Sequence, residues 1–106
     1  MHDGKLFVVN IKSSGEYAVL NAVDEELLGR HISEGAYSMF IDPRYFDGER
    51  VDEQGLRDLI RSNSIVNLVG NRAVQVALDM GFGSSDAVRV IGGIKFLIIY
   101  KFIGNY

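Results

Sequence analysis

The stretch SIVNLVGNRAVQVAL, residues 64–78, decides the fold. Its first half is a short, mostly apolar run with the β-branched content of a strand. Its second half has helical spacing: Ala73, Val74, Ala77 and Leu78 make one apolar stripe, and Val76 and Met80 extend a second. Only Gln75 and Asp79 plainly face water, so this helix is expected to be the most buried one. Gly70 stands between strand and helix, where a turn needs a residue tolerant of positive φ. A strand that passes directly into a buried helix requires a sheet for the helix to lie on.

Upstream, KLFVVNIKS from Lys5 and EYAVLNAV from Glu16 are rich in β-formers, and SSGE between them offers a turn, so they read as a hairpin. In the second segment Tyr17, Val19 and Asn21 share one face, while Ala18, Leu20 and Ala22 share the other. DEELLG reads as a short helix capped by Asp24, acidic in its first turn and ended at Gly29. AYSMFID alternates as a strand, stopped by Pro43. PRYFDGERV reads as a loop with a turn at Asp47–Gly48. DEQGLRDLIRS is a second helix, capped by Asp52, with the stripe Leu56, Leu59 and Ile60.

Downstream, AVRVIGGIKFLIIYKF is two strands joined by Gly92–Gly93. The last strand is apolar on both faces, through Ile94, Phe96 and Ile98 and through Leu97 and Ile99. Such a strand belongs inside a sheet or under a second subunit. The expected order is β-β-α-β-α-β-α-β-β. The fold class expected is α+β: a two-layer sandwich with a mostly antiparallel or mixed sheet, two main helices and one short one. A single domain over residues 1–106, with all apolar stripes gathered into one interior, follows from the length and from the absence of any linker or repeat.

Composition narrows the chemistry. With 47% hydrophobic and 24% charged residues, this is the profile of a soluble globule. The absence of cysteine excludes disulfides, thiol nucleophiles, and cysteine-ligated zinc or iron–sulfur clusters, and it fits a cytoplasmic setting. MHDGKL lacks the basic and apolar segments of a signal peptide, and the C-terminal apolar run falls short of the about 20 residues that span a bilayer. No membrane association is expected. A net charge of -3 excludes bulk attraction to nucleic acid, so DNA is not an expected partner, and any RNA contact would use a local patch.

Two stretches stand out as candidates. At the strand–helix corner, Gly70 permits close approach, Asn71 can cap the helix, and Arg72 puts a guanidinium at its mouth. With Asn67 just before them, these residues form a candidate anion site at a helix N-terminus. The single glycine matches neither a dinucleotide fingerprint nor a P-loop, and a glycine corner with a capping asparagine explains the same residues. In the loop, Arg44, Tyr45, Phe46 and Arg50 interleave guanidinium and aromatic groups, a composition that serves partner binding. The aromatic pair tucked beneath the loop is the structural alternative. Arg57 and Arg61, with Glu53 one turn earlier, read as a solvated ion-pair ladder.

Catalytic chemistry is poorly supplied. His2 and His31 do not complete a metal site, no serine lies in a GxSxG elbow, and the carboxylates sit where caps and turns explain them. No catalytic residue, metal or cofactor is expected. The leading expectation is a non-catalytic binding module for an RNA or protein partner, in translation or RNA handling. The alternatives are a small anionic-ligand protein or enzyme using the Gly70–Arg72 corner, and a homodimer through the C-terminal strand with Phe102, Ile103 and Tyr106 at its end.

The segments VDEELLGRHISEG, YFDGERVDEQ, SIVNLVGNRAV and VRVIGG occur in an order and spacing that resemble the archaeal "domain of unknown function 424" family, from about Glu16 to Gly93. The resemblance implies an archaeal, cytoplasmic protein with a two-layer α/β fold and implies no activity. Shared family loops would map to Gly29, Glu34, Gly35, Phe46, Gly48, Asn67, Gly70, Asn71 and Arg72. The family pattern continues after its last glycine with a proline–histidine segment, where this chain has IGGIKFLIIYKF. Any family site in that segment is altered or missing here.

Overall fold

The computed structural model describes residues 5–101. β1 (Phe7–Ser14) and β2 (Tyr17–Asp24) form the first hairpin, paired from Ser14↔Tyr17 to Phe7↔Asp24. A 3-10 turn at Glu25–Leu27 leads to a second hairpin, β3 (His31–Glu34) with β4 (Tyr37–Phe40). Then come α1 (Pro43–Phe46), β5 (Glu49–Val51), α2 (Glu53–Ser62), β6 (Ile65–Val69) and α3 (Asn71–Asp79). A 3-10 turn at Ser85–Ala87 precedes β7 (Arg89–Ile91) and β8 (Ile94–Tyr100). Six strands form one sheet in the order β5-β1-β2-β6-β8-β7, and β3-β4 stands apart. β2 and β6 run parallel while the other described pairs are antiparallel, so the sheet is mixed and the class is α+β.

The elements follow from their residues. Asp52 caps α2 by accepting from the Gly55 N–H at 2.8 Å, and Leu56 and Ile60 are buried beneath the helix. Its outer face carries the expected ladder: Arg57 pairs with Glu53 at 3.0 Å, and Arg61 lies 3.6 Å from Asp58. In α3, Ala73, Val74, Val76 and Ala77 are all buried. Gly92 and Gly93 both take positive φ (58° and 80°), the geometry that joins β7 to β8 in a two-residue turn. β8 lies between β6 and β7, but β7 pairs only Ile94–Phe96. Beyond that point, among the described residues, β8 pairs with β6 alone.

Several sequence expectations are corrected. The short helix expected at DEELLG is a single 3-10 turn, and the Asp24 carboxylate does not cap it. Residues 31–34, which the expected order leaves without a strand, form β3, held by pairing with β4 and by burial of Ile32. The loop PRYFDGERV contains both a helix and a strand. Asp42 caps α1 by accepting from the Arg44 N–H at 2.9 Å, with Pro43 in the first turn, and Glu49–Val51 pairs with Val9–Phe7.

The single interior is also corrected, because the sheet buries apolar residues on both faces. α2 and α3 cover one face over Phe7, Val9, Leu20, Ala22, Val66, Leu68, Leu97 and Ile99. On the opposite face a smaller cluster gathers Val8, Val23 and Val69 under Leu27, Ile32 and Ile41. The second cluster lies under the turn and hairpin that follow β2, and it covers only one end of the sheet.

Candidate functional site

Gly70 takes φ 119°, and a Cβ there would lie 2.3 Å from the Asp24 carboxyl carbon. This explains the glycine: it leaves room for a carboxylate at the start of α3. The Asp24 oxygens accept from the Arg72 N–H at 3.0 Å and the Ala73 N–H at 2.8 Å. Asp24 therefore does for α3 what sequence reading expected it to do for the turn after β2. The helix N-terminus holds an anion, and that anion belongs to the chain itself. Burial pushes the Asp24 carboxyl above the usual carboxylate range, against the opposing pull of the two N–H donors and the Arg72 charge.

The other corner residues are equally committed. Arg72 Nε donates to Glu26 at 2.9 Å, its Nη2 donates to Leu6 C=O at 2.9 Å, and its guanidinium lies 4.6 Å from the centre of the Phe7 ring. The Arg72 hydrogen bond holds the Glu26 carboxyl below its ordinary range. Asn71 does not cap the helix. Its side chain accepts from Lys95 N–H at 2.9 Å and donates to Gly93 C=O at 3.3 Å, tying the β7–β8 turn to α3. The corner fastens four segments together, and its donors point inward.

The loop residues divide. Arg44 folds back on Asp42 at 3.0 Å, and Arg50 reaches Glu25 at 2.9 Å. Phe46 packs into the second core, while Tyr45 meets it edge-on with ring centres 4.8 Å apart. Tyr45 is about half exposed, and the Lys12 ammonium stands 5.3 Å from its ring centre.

Asn67 belongs to a different constellation. In register across the sheet stand Asn10, Asn21, Asn67 and Ile98. Asn67 donates to Asn21 at 2.9 Å, Asn21 donates to Asn10 at 3.1 Å, and Asn10 donates to the Tyr45 and Asp47 carbonyls at 2.9 and 3.1 Å. Asn21 is only 1% exposed. This row marks the boundary of the second core. Beyond it the same face carries Lys12, Val19, Ile65 and Tyr100 in the next row, with Tyr17 at the hairpin end. Tyr17, Ile98 and Tyr100 are 67%, 52% and 59% exposed. Four strands about 4.8 Å apart make this open half-face about 14 Å wide. Asn10, Asn21, Ile98 and Tyr100 were not among the sequence candidates. A signal was present: each asparagine interrupts an apolar strand, where that residue is depleted.

Comparison with known proteins places the fold. Residues 11–102 match the family described as "Protein of unknown function (DUF424)". No curated protein matches the chain. Among solved structures, the chain is similar to an uncharacterized conserved protein from Methanopyrus kandleri, with a TM-score of 0.74 and 20% sequence identity over 95% of this chain and 97% of that one. At that identity the likeness is one of fold. No helix among the described residues is long and apolar enough to cross a membrane.

Proposed function

The chain belongs to the DUF424 family, and we propose that it is a non-catalytic cytoplasmic binding module whose partner is a protein. The observation that carries this reading is the half-open sheet face beyond the asparagine row, where Tyr17, Ile98 and Tyr100 stand exposed on a rigid four-strand platform. Exposed aromatic and aliphatic groups on fixed strands favour association, because little side-chain freedom is lost when they are covered. A protein surface suits this face better than RNA. Arg44, Arg50, Arg57 and Arg72 are each paired with a carboxylate, and the chain carries a net charge of -3. The sequence candidates Tyr45 and Asn67 border the face. Arg44, Phe46 and Arg50 support the segments around it, while Gly70, Asn71 and Arg72 secure α3.

The test is co-purification from native extract after nuclease treatment, comparing the wild-type chain with an Ile98→Asp/Tyr100→Asp variant. The wild-type chain should retain a stoichiometric protein, and the variant should lose it with its melting temperature unchanged. Retention of nucleic acid instead, or equal retention by both forms, would overturn the reading.

A further inference from the structure

β1 is longer than the strand beside it. β5 pairs with Phe7, Val8 and Val9 and begins at Glu49, so β1 continues for five residues, Asn10–Ser14, with no described strand on that edge. The direction of its backbone groups is fixed. Leu6 C=O accepts from Glu25 N–H on the β2 side, so even-numbered residues of β1 bond toward β2 and odd-numbered ones bond outward. Phe7 and Val9 spend their outward groups on β5, while Ile11 and Ser13 present theirs at an open edge.

A cleft of about 240 Å³ adjoins that edge on the helix-covered side of the sheet. Val9 and Leu20 line it together with Ile11, Leu59 of α2, Asn10 and the Glu49 side chain. Ile11 is 52% exposed there. Glu49 has no ion-pair partner among the described residues. A largely apolar cleft with the Glu49 carboxylate in its lining complements a long aliphatic side chain with a cationic tip.

We propose that this edge binds an extended peptide by strand addition, in line with β5, and that the peptide residue opposite Ile11 is a lysine or arginine whose stem lies in the cleft and whose charge meets Glu49. The proposal rests on the protein-partner reading and names the segment such a partner would offer. Main-chain bonds to Ile11 and Ser13 supply affinity, and the cleft supplies selection. A second copy of β1 is the wrong occupant, because its residues on the cleft-facing side, Ile11 and Ser13, carry no cation, and Lys12 faces the other way.

The test uses short synthetic peptides of alternating threonine and valine with one central residue varied: lysine, norleucine or aspartate. Calorimetry measures the Kd, and amide shifts of Ile11 and Ser13 report the location. The lysine peptide should bind at least about tenfold more tightly than the norleucine one, and Glu49→Gln should erase that preference. Ile11→Pro should abolish binding, since it removes only an outward N–H at an edge position that tolerates proline. Leu59→Phe, which fills the cleft without touching the backbone, should do the same if the proline variant fails to fold. Equal binding of all three peptides, shifts confined to other strands, or a dimer in sedimentation that Ile11→Pro dissolves would overturn the proposal. A native protein partner retained equally by wild-type and Leu59→Phe chains would also overturn it, while leaving the protein-partner reading standing.

Discussion

The two faces of the sheet are covered in different ways. On one, α2 and α3 bury a continuous layer from Phe7 to Ile99. On the other, a two-stranded hairpin and one-turn elements cover only the end around Val8, Val23 and Val69, and the asparagine row closes that cluster off. A long amphipathic helix supplies a full apolar stripe, whereas a four-residue strand such as HISE supplies one buried residue, Ile32. Stability is thus concentrated on the helix face. Among the described residues, the second cluster does not extend over the far half of the hairpin face.

The largest test of this asymmetry is in the cores. Leu68→Ala, on the helix face, should cost about 4 kcal/mol in denaturant unfolding, and Ile41→Ala, on the hairpin face, about 2 kcal/mol, because the smaller cluster collapses more readily around a cavity. Amides of β3 and β4 should exchange before those of β2 and β6. Equal costs with uniform protection would show that the two faces are one cooperative unit.

The corner that joins the faces comes next. Gly70→Ala should cost about 3 kcal/mol, from positive φ and from collision with the Asp24 carboxylate. In an Asp24→Ala background the collision is absent, so the alanine should cost clearly less. Additive costs would mean that the glycine serves backbone geometry alone. Asn21→Ala should cost about 2 kcal/mol by leaving Asn10 and Asn67 with unmet bonds at the border of the second core. A neutral result would remove the row as a structural boundary.

The smallest effect is electrostatic. Carbon NMR titration should place the Asp24 midpoint above 3.8 and the Glu26 midpoint below 4.5. Asp24 is easier to protonate folded than unfolded, so its linkage favours the fold at low pH and weakens it as pH rises from 3.8 through the folded midpoint. Glu26 has the opposite sign: its contribution is complete above 4.5 and is lost as pH falls through its folded midpoint. Removing Glu26 with glutamine should therefore lower stability near neutrality more than in acid. A reversed order would mean that the Arg72 pairing does not favour the ionised form.

How much was legible depended on whether a signal was local. The α3 stripe, the Asp52 cap, the Gly92–Gly93 turn and the alternation in β2 are set by neighbours a few residues apart, and each took the structure its spacing required, whereas β8, read as apolar on both faces, leaves Ile98 52% exposed. β3 and β5 have too few apolar residues to declare themselves and exist because β4 and β1 offer them edges. The candidate anion corner shows the same division. Gly70 and its helix N-terminus could be read from the chain, but the ligand could not. Asp24 is separated from Ala73 by 49 positions and reaches it through the parallel pairing of β2 with β6.

By itself, then, the sequence determined the periodic elements, the α+β class and the places where the chain must turn, since hydrophobic spacing and backbone sterics act over a few bonds. Tertiary structure alone decided that apolar residues would be buried on both faces, that the anion at α3 is the chain's own, and that three distant asparagines would meet in a row. Those outcomes depend on strand order and register, which join residues far apart in the chain, and no local pattern encodes the distance between them.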